Sequence, residues 1–238
     1  MTNYARPMKI ARLLPALVAV LLVAGCSATP PTASKPTASV GRTATPTPTA
    51  TPMAEPVVDR VAFDSTGISL LRNDGSIADT FTYFQPAAEV VAALTSVFGA
   101  EPTVEDIKPY EGYRYTRYDW TGFAVEDSVE PSDGAYYVDF RVNASAASLN
   151  GIAIRTVDTI TVGSDTAAVE AAHPEHVTRV TPPNVGVETS FIEVDTRVLP
   201  DYVGDGYTTP ASFYVTVIGP VGGVVERIYA PSGGGPGI

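Results

Sequence analysis

The sequence predicts an α+β fold: two tandem helix-plus-antiparallel-sheet repeats behind a disordered Thr/Pro-rich linker. Three observations predict it. Two helical stretches are each followed by alternating strands. Short matches recur at a nearly constant offset, and the 30 residues before the first strand carry no apolar period. Helices next to runs of antiparallel strands make α+β domains, and internal repeats show as self-similarity at a fixed offset.

The first helix is read from Val90, Val91, Leu94, Val97 and Phe98, spaced i, i+1, i+4, i+7 and i+8 on one face. Pro86 suits its first turn and Gly99 its C-terminal cap. A strand follows where Tyr136, Val138, Phe140 and Val142 alternate with Tyr137, Asp139 and Arg141. In the second repeat Ser164 is the expected N-cap, and Val169, Ala172 and His173 share a helical face. Phe213, Val215 and Val217 then repeat the strand alternation. Turns are marked by Asn73-Asp74-Gly75, Ser132-Asp133-Gly134, Asp205-Gly206 and Gly222-Gly223.

The repeat itself rests on three matches in the same order. Asp79-Thr80-Phe81-Thr82-Tyr83 lies over Asp158-Thr159-Ile160-Thr161-Val162 at an offset of 79. Tyr136–Phe140 lies over Phe213–Val217 at 77, and Ile152 over Ile228 at 76. The expected organisation is a signal peptide over 1–25 and a linker over 26–56. The first repeat, with an N-terminal hairpin, covers 57–150, the second 151–231, and a flexible tail 232–238. No disulfide is available to the body, so burial alone must hold it.

The element order, with Val162-Gly163-Ser164-Asp165, Val169 and the two aligned strands, resembles the tandem repeats of the β-lactamase inhibitor protein family. It is also similar to the single repeats of small outer-membrane assembly lipoproteins. The resemblance implies a binding-type fold. The chain departs from the family in two ways: His173-Pro174-Glu175 stands where the family has Gly-x-Pro after the helix, and the family's disulfides are missing. No inhibitory residue carries across.

The N-terminus carries an address. Arg6, Lys9 and Arg12 form a positive region, Leu13–Ala24 an apolar run, and Ala24-Gly25 the small residues before Cys26. Val23-Ala24-Gly25-Cys26 resembles a bacterial lipobox, and Cys26 is the one cysteine of the chain. The resemblance implies acylation of Cys26, attachment to the bilayer and a position on the extracytoplasmic face of the cell membrane. The apolar run falls short of the roughly 20 residues of a spanning helix, and two acyl chains suffice for stable anchoring. Half of residues 27–56 are Thr or Pro, which predicts a semi-extended stalk reaching roughly 90 Å at about 3.1 Å per residue.

Charge narrows the function. Without Arg6, Lys9 and Arg12 the chain keeps 12 basic residues against 26 acidic ones, a net of −14. Such a body repels nucleic acid. No Gly-x-Ser-x-Gly or Ser-x-x-Lys is present, and no cofactor is expected. His173, His176 and Glu170 fall within seven residues, but Pro174 interrupts their helix and no metal site is assigned to them. Glu126, Asp127, Glu130 and Asp133, and Asp201 with Asp205, lack calcium-loop spacing and read as hairpin turns.

Nine of the 21 aromatic residues lie between 110 and 140, with Arg114 and Arg117 among them and Arg141 directly after. Tyr, Trp and Arg dominate binding hot spots. Tyr113, Tyr115, Trp120 and Tyr137 are therefore the candidate partner-binding residues. The reading is a non-catalytic interaction module of the cell envelope, contacting an unidentified envelope protein or ligand. The alternative is an envelope hydrolase or metal-dependent enzyme using clustered carboxylates.

Overall fold

The computed structural model describes residues 55–108, 114–128, 137–183, 186–204 and 207–234, all within one compact unit. The chain opens with β1 (Val58–Phe63), β2 (Gly67–Arg72), β3 (Ile77–Thr82) and α1 (Ala87–Phe98). Next come β4 (Thr103–Ile107), β5 (Tyr115–Asp119), β6 (Phe123–Ser128), β7 (Phe140–Ala144), β8 (Ser148–Leu149) and β9 (Ile152–Thr156). The rest comprises α2 (Thr166–Ala172), a 3-10 turn (Pro174–His176), β10 (Val177–Val180), β11 (Thr189–Val198), β12 (Tyr202–Gly204), β13 (Tyr207–Thr209), β14 (Ser212–Pro220) and β15 (Arg227–Gly234).

These strands build a five-stranded sheet in the order β3-β2-β1-β9-β8 and an eight-stranded sheet in the order β10-β11-β14-β15-β7-β6-β5-β4. β12 and β13 form a separate ribbon. All neighbours are antiparallel except β1 and β9, which run parallel.

The α+β tandem repeat expected from the sequence is overturned. Strands take 51% of the described residues and helices 14%, with only two α-helices, so the fold is β-rich with two large sheets. The matched segments do not occupy matching places. Asp79–Thr82 is in strand β3, whereas Asp158–Val162 contains no strand. Ile152 belongs to the five-stranded sheet and Ile228 to the eight-stranded one. β7 and β14, which carry the aligned alternation, are separated by β15. The physical reason is general: a period of two says which residues face a core, but not which strand lies alongside.

Local signals shape the helices as physics requires. α1 buries Ala87, Val90, Leu94 and Phe98, and Gly99 ends it in the left-handed conformation at φ 65°. α2 is shorter, because Pro174 stops it within two turns. Its N-cap is Asp165 rather than Ser164: the Asp165 carboxylate accepts from the Ala167 amide at 2.9 Å. The Ser164 hydroxyl instead accepts from the Thr161 amide at 3.0 Å. The start of α2 sits close against Gly219, where an added Cβ would lie 2.6 Å from both Thr166 Oγ1 and the Val224 carbonyl oxygen.

One apolar core joins the layers. On the eight-stranded sheet it takes Phe123, Val125, Phe140, Val142, Ile192, Val194, Phe213, Val215, Val217 and Ile228, all essentially sealed from water. From the other side come Val61, Phe63, Ile68, Leu70 and Ile154 of the five-stranded sheet and the apolar face of α1. Phe63 and Phe98 meet Phe123 with ring centroids 6.2 and 5.8 Å apart, and Tyr83 meets Phe140 at 5.3 Å. The buried Tyr83 hydroxyl donates to the Asp64 carbonyl at 3.0 Å, and burial holds its pKa well above the ordinary value. The Ser65 amide donates to the carboxylate of Asp195, at a bulge in β11, at 2.6 Å. That bond ties the β1–β2 turn to the large sheet.

Candidate binding face

Successive strand residues point to opposite sides of a sheet. The residues that alternate with the core set therefore project from the far face of the eight-stranded sheet. They include Tyr115 and Arg117 on β5, Glu126 on β6, Arg141 on β7, Tyr229 on β15, Tyr214 and Thr216 on β14, and Glu193 on β11. All remain partly exposed. Cross-strand register sets them in rows. Glu105 lies opposite Arg117, Arg117 opposite Glu126, and Glu126 opposite Arg141. One register step along, Asn143 lies opposite Tyr229, Tyr229 opposite Thr216, and Thr216 opposite Glu193.

The charges on this face are tied to one another. Arg117 donates to Glu126 at 2.6 Å and to Asp119 at 2.9 and 3.1 Å. Burial weakens the Arg117 charge, but the Asp119 hydrogen bond and the charges of Glu126 and Asp119 outweigh it and raise its pKa. Arg141 behaves in the opposite way: burial lowers its pKa and Glu126 only partly offsets that. The Tyr115 hydroxyl is pushed up by burial first, then by the charges of Glu126 and Tyr229, with Arg117 opposing. Tyr214 is raised by burial and by Glu193. Tyr115 and Tyr214 thus stay neutral hydrogen-bonding groups at pH 7.

A shallow cleft of about 360 Å³ opens here, lined by Glu126, Arg141, Tyr214, Thr216, Tyr229, Pro231, Ser232 and Gly233. Inside it Thr216 Oγ1 donates to Ser232 Oγ at 2.7 Å. At its rim the exposed Arg227 donates to the Tyr229 hydroxyl at 3.0 Å, with its guanidinium 5.7 Å from the ring centroid.

The sequence-derived candidates separate on the structure. Tyr115 is on the open face. Trp120 is not: it is 5% exposed, its ring lies 5.6 Å from Phe98, and its indole N–H donates to the Ala100 carbonyl at 2.9 Å. Tyr137 is half-buried in the extended lead-in to β7. Tyr113 and Cys26 lie outside the described residues, as do Glu130, Asp133 and Asp205. Tyr214 and Tyr229 were not singled out from the sequence. The alternation of Tyr214 and Thr216 with Phe213 and Val215 marks them as outward-facing. What it leaves unstated is that β14 and β15 lie in the same sheet as β5 and β6.

The histidine pair does not converge. Glu170 is engaged by Arg179 at 2.8 Å and by the Ser190 hydroxyl, and these two hydrogen bonds lower its pKa. His176 Nδ1 lies 3.9 Å from Glu193, and its Nε2 lies 3.8 Å from Glu175. Among the described residues no group of three or more His, Cys, Asp or Glu could hold a metal ion. Asp127 has its pKa raised, by burial first and by Asp139 second. Among the described residues no helix is long and apolar enough to cross a membrane.

Fold and site together define a β-rich domain with one sheet face committed to the core and the other bearing tyrosines and paired charges. No family model, curated protein or solved structure matches the chain.

Proposed function

We propose that the protein is a lipid-anchored binding module on the extracytoplasmic face of the cell membrane, and that the open face of its eight-stranded sheet receives a partner from the envelope. The observation that carries the reading is that face itself. Tyr115, Tyr214 and Tyr229, with Arg117, Arg141 and Arg227, give it the composition of binding hot spots. Tyrosines bury much area at low entropic cost and keep a polar tip for the partner. The lipobox-like run ending in Cys26 and the Thr/Pro-rich stretch behind it support an anchor and a stalk.

Two experiments test this. Replacing Cys26 by Ser and fractionating cells should move the protein out of the membrane fraction; a variant still held there removes the anchor. Capture of envelope proteins by the full chain should fall roughly thirtyfold on Tyr229→Ala, the equivalent of about 2 kcal/mol at a hot spot. The melting temperature should barely move. Undiminished capture by variants at Tyr115, Tyr214 and Tyr229 alike contradicts the binding face.

A further inference from the structure

We propose that the cleft at Arg141 is a subsite for a carboxylate, supplied by an acidic side chain of a protein docked on the open face. The inference rests on the binding-face reading above. It starts from the charge order along one row of the sheet. Glu105, Arg117, Glu126 and Arg141 face one another across β4 to β7, so negative and positive alternate. Glu126 closes on Arg117 at 2.6 Å, which leaves Arg141 with only a share of its charge. Beyond Arg141 the cleft is lined by uncharged Pro231 and Ser232. Among the described residues no carboxylate forms an ion pair with Arg141. A carboxylate seated in the cleft becomes the next member of the row.

The surrounding groups suit that occupant. Guanidinium and carboxylate make paired, charge-assisted hydrogen bonds with defined geometry. The Ser232 hydroxyl accepts from Thr216, and the Tyr229 hydroxyl accepts from Arg227, so both keep their own protons to donate. The cleft opens onto a broad face, so a small acid keeps part of its hydration there and binds weakly. A protein covering the face excludes that water and strengthens the pair. The net charge of −11 repels a wholly acidic partner at long range, which favours a single acid in neutral or basic surroundings.

The test uses the purified full chain, with the Arg141 side-chain N–H and the Tyr214 and Tyr229 rings followed by NMR. The probes are the capped tripeptides Ac-Gly-Glu-Gly-NH2 and Ac-Gly-Gln-Gly-NH2, with chitobiose as a neutral saccharide. The glutamate peptide should shift all three signals saturably, and the glutamine peptide should bind about tenfold more weakly, the loss of one charge-assisted bond. Arg141→Gln should abolish the difference between the two peptides. Equal responses to both peptides in the unaltered chain overturn the proposal, as does no response at Arg141. A response to chitobiose alone overturns it in favour of a glycan site. Peptide insensitivity with intact partner capture removes the subsite and leaves the binding face standing.

Discussion

The two faces of the eight-stranded sheet come from the same strands and share one hydrogen-bond ladder, yet they do opposite work. On β14 the core side reads Phe213, Val215, Val217, and the other side Tyr214, Thr216, Ile218. On β6 and β7 the core side reads Phe123, Val125, Phe140, Val142, and the other side Glu126 and Arg141. The covered face gains from excluded water and close packing, so each residue there acts on stability. The open face keeps its tyrosines and charges half in water, where they contribute little to folding and, on the proposed function, are free to meet a partner. Hot-spot composition in a sequence is therefore ambiguous until the side of the sheet is known. Trp120 and Tyr115 are five residues apart and fall on different sides of that line.

Truncating residues of both kinds should separate the two faces most clearly. Phe123→Ala should cost about 3–5 kcal/mol, read by denaturant unfolding, because it leaves a cavity where Phe63 and Phe98 now pack. Trp120→Ala should fall in the same range. A Trp120 variant that keeps full stability but loses capture would move that residue to the binding side. Next in size, Gly219→Ala should cost roughly 1–3 kcal/mol, since its methyl meets the Val224 backbone and Thr166 at the start of α2. Tyr214→Ala and Tyr229→Ala should change stability by no more than about 0.5 kcal/mol. A loss like that of Phe123→Ala would mean that this face, too, is core.

The smallest effects come with pH. Glu170 has a lowered folded pKa, so its contribution is present above its ordinary unfolded value and is lost as pH falls through the folded one. Glu170→Gln should flatten that acid limb in pH-dependent melts. Asp127 has a raised folded pKa, caused by burial and Asp139, so its charged form weakens the fold at neutral pH. Asp127→Asn should raise the melting temperature at pH 7 and leave it unchanged below both carboxyl pKa values. A fall at pH 7 would contradict that environment.

Much of this was legible in local pattern and little in pairing. The apolar face of α1, its Gly99 stop and the inward phase of β7 and β14 follow from spacing alone. The β-rich architecture does not, because α2 is only seven residues long and several strands are five residues or fewer. At that length the sequence signal is a turn or two rather than a period. The site suffered for the same reason. Tyr115 was found in a local crowd of aromatics. Tyr214 and Tyr229 lie about 100 residues away and join it through β15 pairing with β7, a contact that no spacing encodes.

One face of the large sheet is core, and the other is the proposed contact surface. Hydroxyl-radical footprinting of the full chain, purified and in its native envelope, tests it most directly. Tyr115, Tyr214 and Tyr229 should react in the purified protein and be protected in the envelope, while Phe123 and Trp120 should be inert in both. Equal reaction of the three tyrosines in both settings, with protection appearing instead on α1 or the five-stranded sheet, would contradict it.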